Sequence, residues 1–435
     1  MNGKEKRLKA ETLQEKESAL MSGNTVSNRT RLRTSGRHRK IFLDEAYINT
    51  EINLSSRPAD GNEMKYLQQV LASGNLSALM GGKVTPLFEK AFSNLLGSKH
   101  SVAMNTCMSA LHSAVIAAGA GAGTEVICDS VYIFGSMAVL YNNAIPIFVD
   151  VDATTHNMDP NKIEAAITER TKAIIVTHAW GLPAEMDRIM AIARKHDLVV
   201  IEDCAESVLA KYDGKYTGTW GDIGCFSFQA SKQMSLGDGG MATVQNDTYH
   251  KAVANFALAP TFLSIAHTLD YNYRINELTA AVGLARLETI ADEIHRLAEN
   301  ACYLDEAVAD CDWITLQRGP KKAEHSFYYW AANFIDSDDG PDLDTFTQAL
   351  ADADAPTLSV GYTKMAAYQH PLIANRSAQA FTDPRNKDFE SLYEIGRCPV
   401  AERIVPRIIL GYTIAPTETV KQDAQKLHNV IRKLS

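Results

Sequence analysis

One lysine in this chain stands where an amine could do chemistry. Lys232 lies inside SFQASKQMSLGDGG, Ser227 to Gly240, between the β-like run GCFSFQ and a cluster of Gly237, Gly239 and Gly240. The ordinary role of a lysine is a surface charge. The chemical alternative is a nucleophile at the mouth of a sheet, able to hold a carbonyl compound as a Schiff base. Asp203 follows LVVIE and precedes CA, which puts a carboxylate at the tip of an apolar strand. A carboxylate there is costly unless it meets a cation or caps a helix. A protonated ring nitrogen is one such cation, and the pairing would make the ring an electron sink.

Other residues fit either reading. Ser227 precedes Lys232 on the same segment, and its hydroxyl could donate to a phosphate or simply edge a strand. The start of the SALHSAV helix brings backbone N–H groups and a positive dipole end, as every helix start does. Tyr132 could stack on a planar ring or fill core. Asn272 and Arg274 stand in DYNYRINELTAAVG, just ahead of a long helix rich in small residues.

The elements around these residues alternate. EVICDS, IPIFVDVD, AIIVTHAW and LVVIEDCA are short apolar runs, separated by the helical patterns FGSMAVLYNN, NKIEAAITER and MDRIMAIARKH. Such alternation predicts right-handed βαβ crossovers and a mostly parallel sheet buried on both faces. Chemistry in such sheets collects at the carboxyl ends of the strands, where Asn105, Thr106, Asp129, Ser130, His178 and Asp203 stand. CFSFQ and MATVQN read as strands on either side of the lysine. NEMKYLQQVLAS and VTPLFEKAFSNLLG read as helices, the first with Met64, Leu67 and Val70/Leu71 on one face. Gly74 and Gly97 stand at their C-terminal cap positions. A long helix is expected from Asn276, a second domain from near residue 300, and a last helix from Thr417.

A chain of 435 residues exceeds one ordinary core, and 46% hydrophobic with 22% charged residues is the composition of a soluble globular enzyme. The net charge of −9 argues against a general nucleic-acid binder. No apolar run approaches the roughly 20 residues of a membrane span, and MNGKEKRLKAETLQEKE lacks the apolar core of a secretory signal. The seven cysteines are scattered without a CxxC pair, which favours a reducing cytoplasm and gives no metal site. The opening segment, Lys/Glu-rich and then basic through RTRLRTSGRHRK, reads as a mobile charged extension.

In order and spacing, LFEKAFSNLLGSKHSVAMNT, SALHSAVIAAGAGAGTEVI, IPIFVDVDATTHNMDP, VTHAWGLPAEMD, VIEDCAES, FSFQASKQMSLGDGG and NYRINELTAAVGLARLE resemble the DegT/DnrJ/EryC1/StrS aminotransferases. These are pyridoxal 5'-phosphate (PLP) enzymes of the type I, aspartate aminotransferase-like α/β fold, acting on keto-sugars and cyclitols. The resemblance implies that Lys232 carries PLP and that Asp203 partners its ring nitrogen. It also implies that Ser227 binds the phosphate, that Tyr132 stacks on the ring, and that Asn272 reaches the phosphate of a neighbouring subunit. A homodimer with shared sites follows, with no nucleic-acid or membrane partner.

Two departures from the family stand in the same stretches. Thr106-Cys107-Met108 replaces the usual Ser-Gly-Thr, so phosphate contact at Cys107 and Met108 rests on backbone N–H groups. Glu206 replaces the usual Gln or His near the cofactor's phenolic oxygen, where a carboxylate has to be protonated, paired or turned away. The expected layout is an extension (1–45), a large PLP-binding domain (46–295) and a small C-terminal domain (296–435). The expected activity is transfer of an amino group from glutamate or glutamine to a keto-sugar, nucleotide-linked keto-sugar or cyclitol ketone. The rivals are a PLP-dependent sugar dehydratase and a non-catalytic sensor of the same fold.

Overall fold

The computed structural model describes residues 61–258, 271–337 and 340–435. The extension expected over 1–45 lies outside the described residues. Residues 56–435 cluster as one unit by their contacts, and it is built on two main sheets.

The larger sheet has seven strands: β1 (His100–Met104), β2 (Glu125–Asp129), β3 (Ile145–Val149), β4 (Thr171–Thr177), β5 (Val199–Asp203), β6 (Ile223–Ser227) and β7 (Gly240–Val244). Their order across the sheet is β1-β7-β6-β5-β4-β2-β3. β7 alone runs antiparallel to both its neighbours, and the other pairings are parallel. This is the α/β sheet the alternation predicts. The apolar runs are buried on both faces because helices cover both. A four-stranded antiparallel sheet follows: β8 (Ile314–Leu316), β9 (Trp330–Phe334), β10 (Leu358–Val360) and β11 (Ile408–Gly411), in the order β8-β9-β11-β10. Its separate core holds Trp313, Trp330, Phe334 and Phe346.

The helix expected as one run from Asn276 is two. Asn276 caps Glu277–Arg286 by accepting from Thr279 N–H at 2.9 Å, and a second helix runs Ile290–Ala307. That second helix contributes Ile290 to the core beneath β6 and Ala301 and Leu304 to the core of the small sheet. The 295/296 boundary therefore falls inside a helix that ties the two cores together. Gly74 and Gly97 do cap their helices in the left-handed conformation. The apolar face of the first helix, Glu63–Ser73, is only partly covered. Val70 is buried, while Met64 and Leu71 are 58% and 61% exposed. Glu63 turns inward instead, paired with Arg286 at 3.1 Å.

One packing detail fixes the lysine segment. Phe226 and Phe228 point to one side of the chain and Ser227 to the other, as strand alternation requires. The two rings lock against Phe92 at 5.1 and 5.6 Å, and Phe228 also meets Phe88 at 5.7 Å. All four rings are fully buried, each contributing roughly 2–3 kcal/mol. Ser227 is thereby turned toward the opposite face, where a cavity opens.

Candidate active site

The cavity, about 360 Å³, lies at the carboxyl ends of β4, β5 and β6, where Thr177, Asp203 and Ser227 stand. Cys107, Met108, Glu206 and Lys232 also line it. The structure thus gathers six of the residues singled out by sequence (Lys232, Asp203, Glu206, Ser227, Cys107 and Met108) around one space.

Asp203 forms the floor. It is 3% exposed, and one carboxylate oxygen accepts from Ala205 N–H at 3.1 Å. Burial pushes its carboxyl up to about 7, the Ala205 hydrogen bond and Lys232 oppose the shift, and the charges of Glu206 and Asp129 add to it. A carboxylate so desolvated favours a cation beside it.

Lys232 follows a tight turn in which its N–H donates to Gln229 O at 2.9 Å. Nζ lies 3.2 Å from Glu206 Oε1 and 4.1 Å from the centroid of the Tyr328 ring. The tyrosine is held by its own hydroxyl, 3.2 Å from Ser231 Oγ. Tyr328, Tyr329 and Tyr362 build the wall facing β5, and burial pushes all three phenols up.

One end of the cavity is a helix start. Thr106 caps helix Cys107–Ala117, its Oγ1 accepting from Ser109 N–H at 3.1 Å while its carbonyl accepts from Ala110 N–H. The N–H groups of Cys107 and Met108 come one turn too early for an intrahelical partner, and both residues line the cavity. The Cys107 thiol is buried, and burial pushes it well up. Gly240 passes directly behind this turn. A Cβ on Gly240 would come within 2.6 Å of Cys107 N and closer still to the Thr106 carbonyl. Only glycine lets β7 support the helix start at that distance.

Two sequence candidates stand elsewhere. Tyr132 is 4% exposed and does not line the cavity; its ring packs against Trp180 and Tyr362 at 5.1 and 5.4 Å. Asp129 Oδ1 accepts from the N–H groups of Val131 and Tyr132 at 2.9 and 2.8 Å, a turn that tucks Tyr132 inward. The aromatic this segment gives the cavity is Phe134, 47% exposed. Asn272 is exposed, pairs by backbone with Leu258, and does not line the cavity of its own chain.

Sequence reasoning missed Thr177, Phe134 and the tyrosine wall. Thr177 Oγ1 donates to Asp129 Oδ2 at 2.6 Å, tying the ends of β2 and β4 together. The doublet in HSFYYW and the tyrosine of VGYTK were the available signals. A cluster of His178, Glu202 and Cys204 has metal-like proximity, but its polar atoms serve the protein. His178 Nε2 meets Glu202 Oε2 at 3.0 Å, His178 Nδ1 accepts from Ala184 N–H, and Glu202 also accepts from Gly218 and Gly221 N–H.

A buried acid facing a lysine, with a glycine-backed helix start beside them, is a donor set that fits PLP. The acid suits a protonated ring nitrogen, the lysine a carbonyl and the helix start a phosphate.

Comparison with known proteins agrees. Residues 58–408 match the DegT/DnrJ/EryC1/StrS aminotransferase family. The GDP-perosamine synthase of Caulobacter vibrioides is 39% identical over 247 residues, 56% of this chain and 66% of that protein. The L-glutamine:2-deoxy-scyllo-inosose aminotransferase of Micromonospora echinospora is 33% identical over 81% of this chain and 87% of its own length. Among solved structures, an aminotransferase from Psychrobacter cryohalolentis superposes with a TM-score of 0.75 at 26% identity, covering 87% of this chain and 98% of that one. Among the described residues no helix is long and apolar enough to cross a membrane.

Proposed function

The chain belongs to the DegT/DnrJ/EryC1/StrS aminotransferase family, whose members are PLP-dependent, and from that premise we propose that it aminates a sugar or cyclitol ketone. The donor is glutamate or glutamine, and the acceptor is a keto-sugar, nucleotide-linked keto-sugar or cyclitol ketone. The named activities of the relatives support this class. The observation that carries the reading is the convergence of Lys232, Asp203 and the Gly240-backed helix start on one cavity.

Bound there, PLP supplies an electrophilic carbonyl carbon and a ring that withdraws electrons. Lys232 Nζ is the nucleophile that holds it. The same nitrogen, as a free amine, would move a proton to and from the substrate carbon. Asp203 Oδ keeps the ring nitrogen protonated. Cys107 and Met108 N–H and the Ser227 hydroxyl would hold the phosphate, with Asn272 of a second copy of the chain completing the seat. The Tyr328–Tyr329–Tyr362 wall excludes water and offers flat apolar faces to a sugar ring. A homodimer in a reducing cytoplasm fits the shared site and the seven free cysteines.

The test is to load the protein with pyridoxamine phosphate and screen keto-sugars and cyclitol ketones, with and without a nucleotide. One class is expected to restore the PLP absorbance in a single turnover. Absence of any return from a protein that binds the cofactor would favour the non-catalytic reading, and release of ammonia the dehydratase.

A further inference from the structure

Glu206 has no part in the chemistry just described, yet its surroundings are built for an ionised carboxylate. The side chain is 7% exposed. Oε2 accepts from Trp180 N–H at 3.1 Å and from the Tyr132 hydroxyl at 3.2 Å. Oε1 faces Lys232 Nζ at 3.2 Å. An ionised carboxylate offers only acceptors, so it meets all three donors at once. A glutamine in the same pose has one oxygen. Its NH₂ would confront either the lysine or the Trp180 and Tyr132 donors.

The donors on Oε2 are held firmly. Trp180 sits at φ 62°, a left-handed conformation rare for a bulky residue. It is pinned there by Tyr329 N–H on its carbonyl at 3.1 Å and by its own Nε1–H on His156 Nδ1 at 3.0 Å. Tyr132 is set by the Asp129 turn. Oε2 is thereby fixed as the accepting oxygen, which leaves Oε1 to the lysine.

From this geometry we infer that Glu206 is a further catalytic residue: it takes the ammonium proton of Lys232, so that the amine attacks a carbonyl carbon uncharged, and afterwards returns it. The inference rests on the PLP aminotransferase reading. In the step one N–H bond of Lys232 breaks and one O–H bond forms on Glu206 Oε1. A charged pair becomes a neutral pair, and no other reactant is needed. Among the described residues the titratable groups facing the pair are Asp203 from the end of β5, Cys107 at the start of its helix, Tyr132 ahead of helix Ile133–Tyr141, Tyr328 and Tyr329 ahead of β9, and Tyr362 after β10. Burial keeps the phenols protonated, so none of them competes for the proton.

The experiment follows uptake of PLP by the full-length protein stripped of cofactor. Samples are trapped with borohydride at timed intervals between pH 6 and 9, and the Lys232 peptide is read by mass spectrometry. Wild type is expected to form the adduct at a rate nearly level with pH. Glu206→Gln is expected to be at least tenfold slower at pH 7 and to close the gap toward pH 9, with Glu206→Asp between them. Circular dichroism and thermal melting check the fold of each variant, and Glu206→Asp carries the test if the glutamine variant does not fold. Equal rates and equal pH profiles in wild type and the folded variants would overturn the inference. A wild type that traps no adduct, or traps as little as Lys232→Ala, would instead overturn the cofactor reading on which it stands.

Discussion

Gly240 and Thr106 are in backbone contact: the first residue of β7 lies so close under the Thr106 carbonyl that no side chain fits between them. Gly240→Ala forces a Cβ into Thr106 and Cys107, and overpacking of this kind costs about 1–3 kcal/mol. It also tilts the N–H groups of Cys107 and Met108. The variant is expected to lose several degrees in Tm and at least tenfold in PLP affinity, read by melting and by fluorescence titration. Gly237→Ala is the control. Gly237 stands at φ 85° with open space around it, so alanine there adds roughly 1 kcal/mol of strain and leaves PLP affinity within threefold.

The cofactor-stripped protein should gain stability on acidification. Asp203 is raised to about 7 in the fold, against an ordinary value near 4 unfolded. Between those values the folded state binds more protons than the unfolded one. The contribution is therefore complete below about pH 4 and is lost as pH rises through about 7. Glu89, also pushed up to about 7 by burial, acts in the same sense. Denaturant melts of the stripped protein are expected to show stability falling from pH 5 to pH 8, by a few kcal/mol for each group. Asp203→Asn should flatten part of that slope, and an unchanged slope would refute the assignment.

Lys232→Ala should show no visible absorbance from lysine-bound PLP and no turnover. Asn272→Ala should retain the lysine and lose phosphate affinity. Because Asn272 does not line its own chain's cavity, the two variants, unfolded and refolded together and assayed at a PLP concentration too low to load Asn272→Ala, should regain about a quarter of wild-type activity from sites in which both residues are intact. No recovery would argue against a shared site.

Glu277, at the start of its helix, accepts from Val84 N–H at 2.7 Å, Thr85 N–H at 3.1 Å and Thr85 Oγ1 at 2.5 Å. It caps helix Val84–Leu96 from almost two hundred residues away. The carboxylate is 1% exposed, so truncation leaves buried donors unmet. Glu277→Ala is expected to cost about 2–3 kcal/mol, measured by urea melts at neutral pH.

The sheet was legible in the sequence because both of its faces are buried, which writes each strand as an unbroken apolar run. The strand tips were legible for the same reason: the acidic pair Glu202-Asp203 at the end of LVVIED is conspicuous. Lys232 stood out by its glycines, and Gly240 owes its identity to the Thr106 contact. The tyrosine wall was not legible, because Tyr328 and Tyr329 sit in an aromatic run that reads equally well as core. Tyr132 lies behind the cavity lining for a local reason. The Asp129 turn rotates it inward and presents Phe134 instead, and that rotation depends on hydrogen bonds that residue order does not display. Met64 and Leu71 are exposed for a different reason, since the helical pattern marks an apolar face without saying that its own chain covers it.

The antiparallel pairing of β1 with β7 bears on how the protein matures. Among the described residues β1 stands at the edge of the seven-stranded sheet, paired with β7 in register from His100↔Val244 to Met104↔Gly240 and bridged to Arg274 at Met104. The helix start at Cys107 follows β1 directly, so the proposed phosphate seat waits for a strand that is synthesised long after it. Closing so large a loop is entropically slow. A nascent chain still on the ribosome cannot capture PLP until β7 has emerged and docked. Capture then holds the chain in its finished form, because the ligand binds the folded state alone. The onset of lysine-bound colour in a refolding mixture thus marks the closing of the sheet edge.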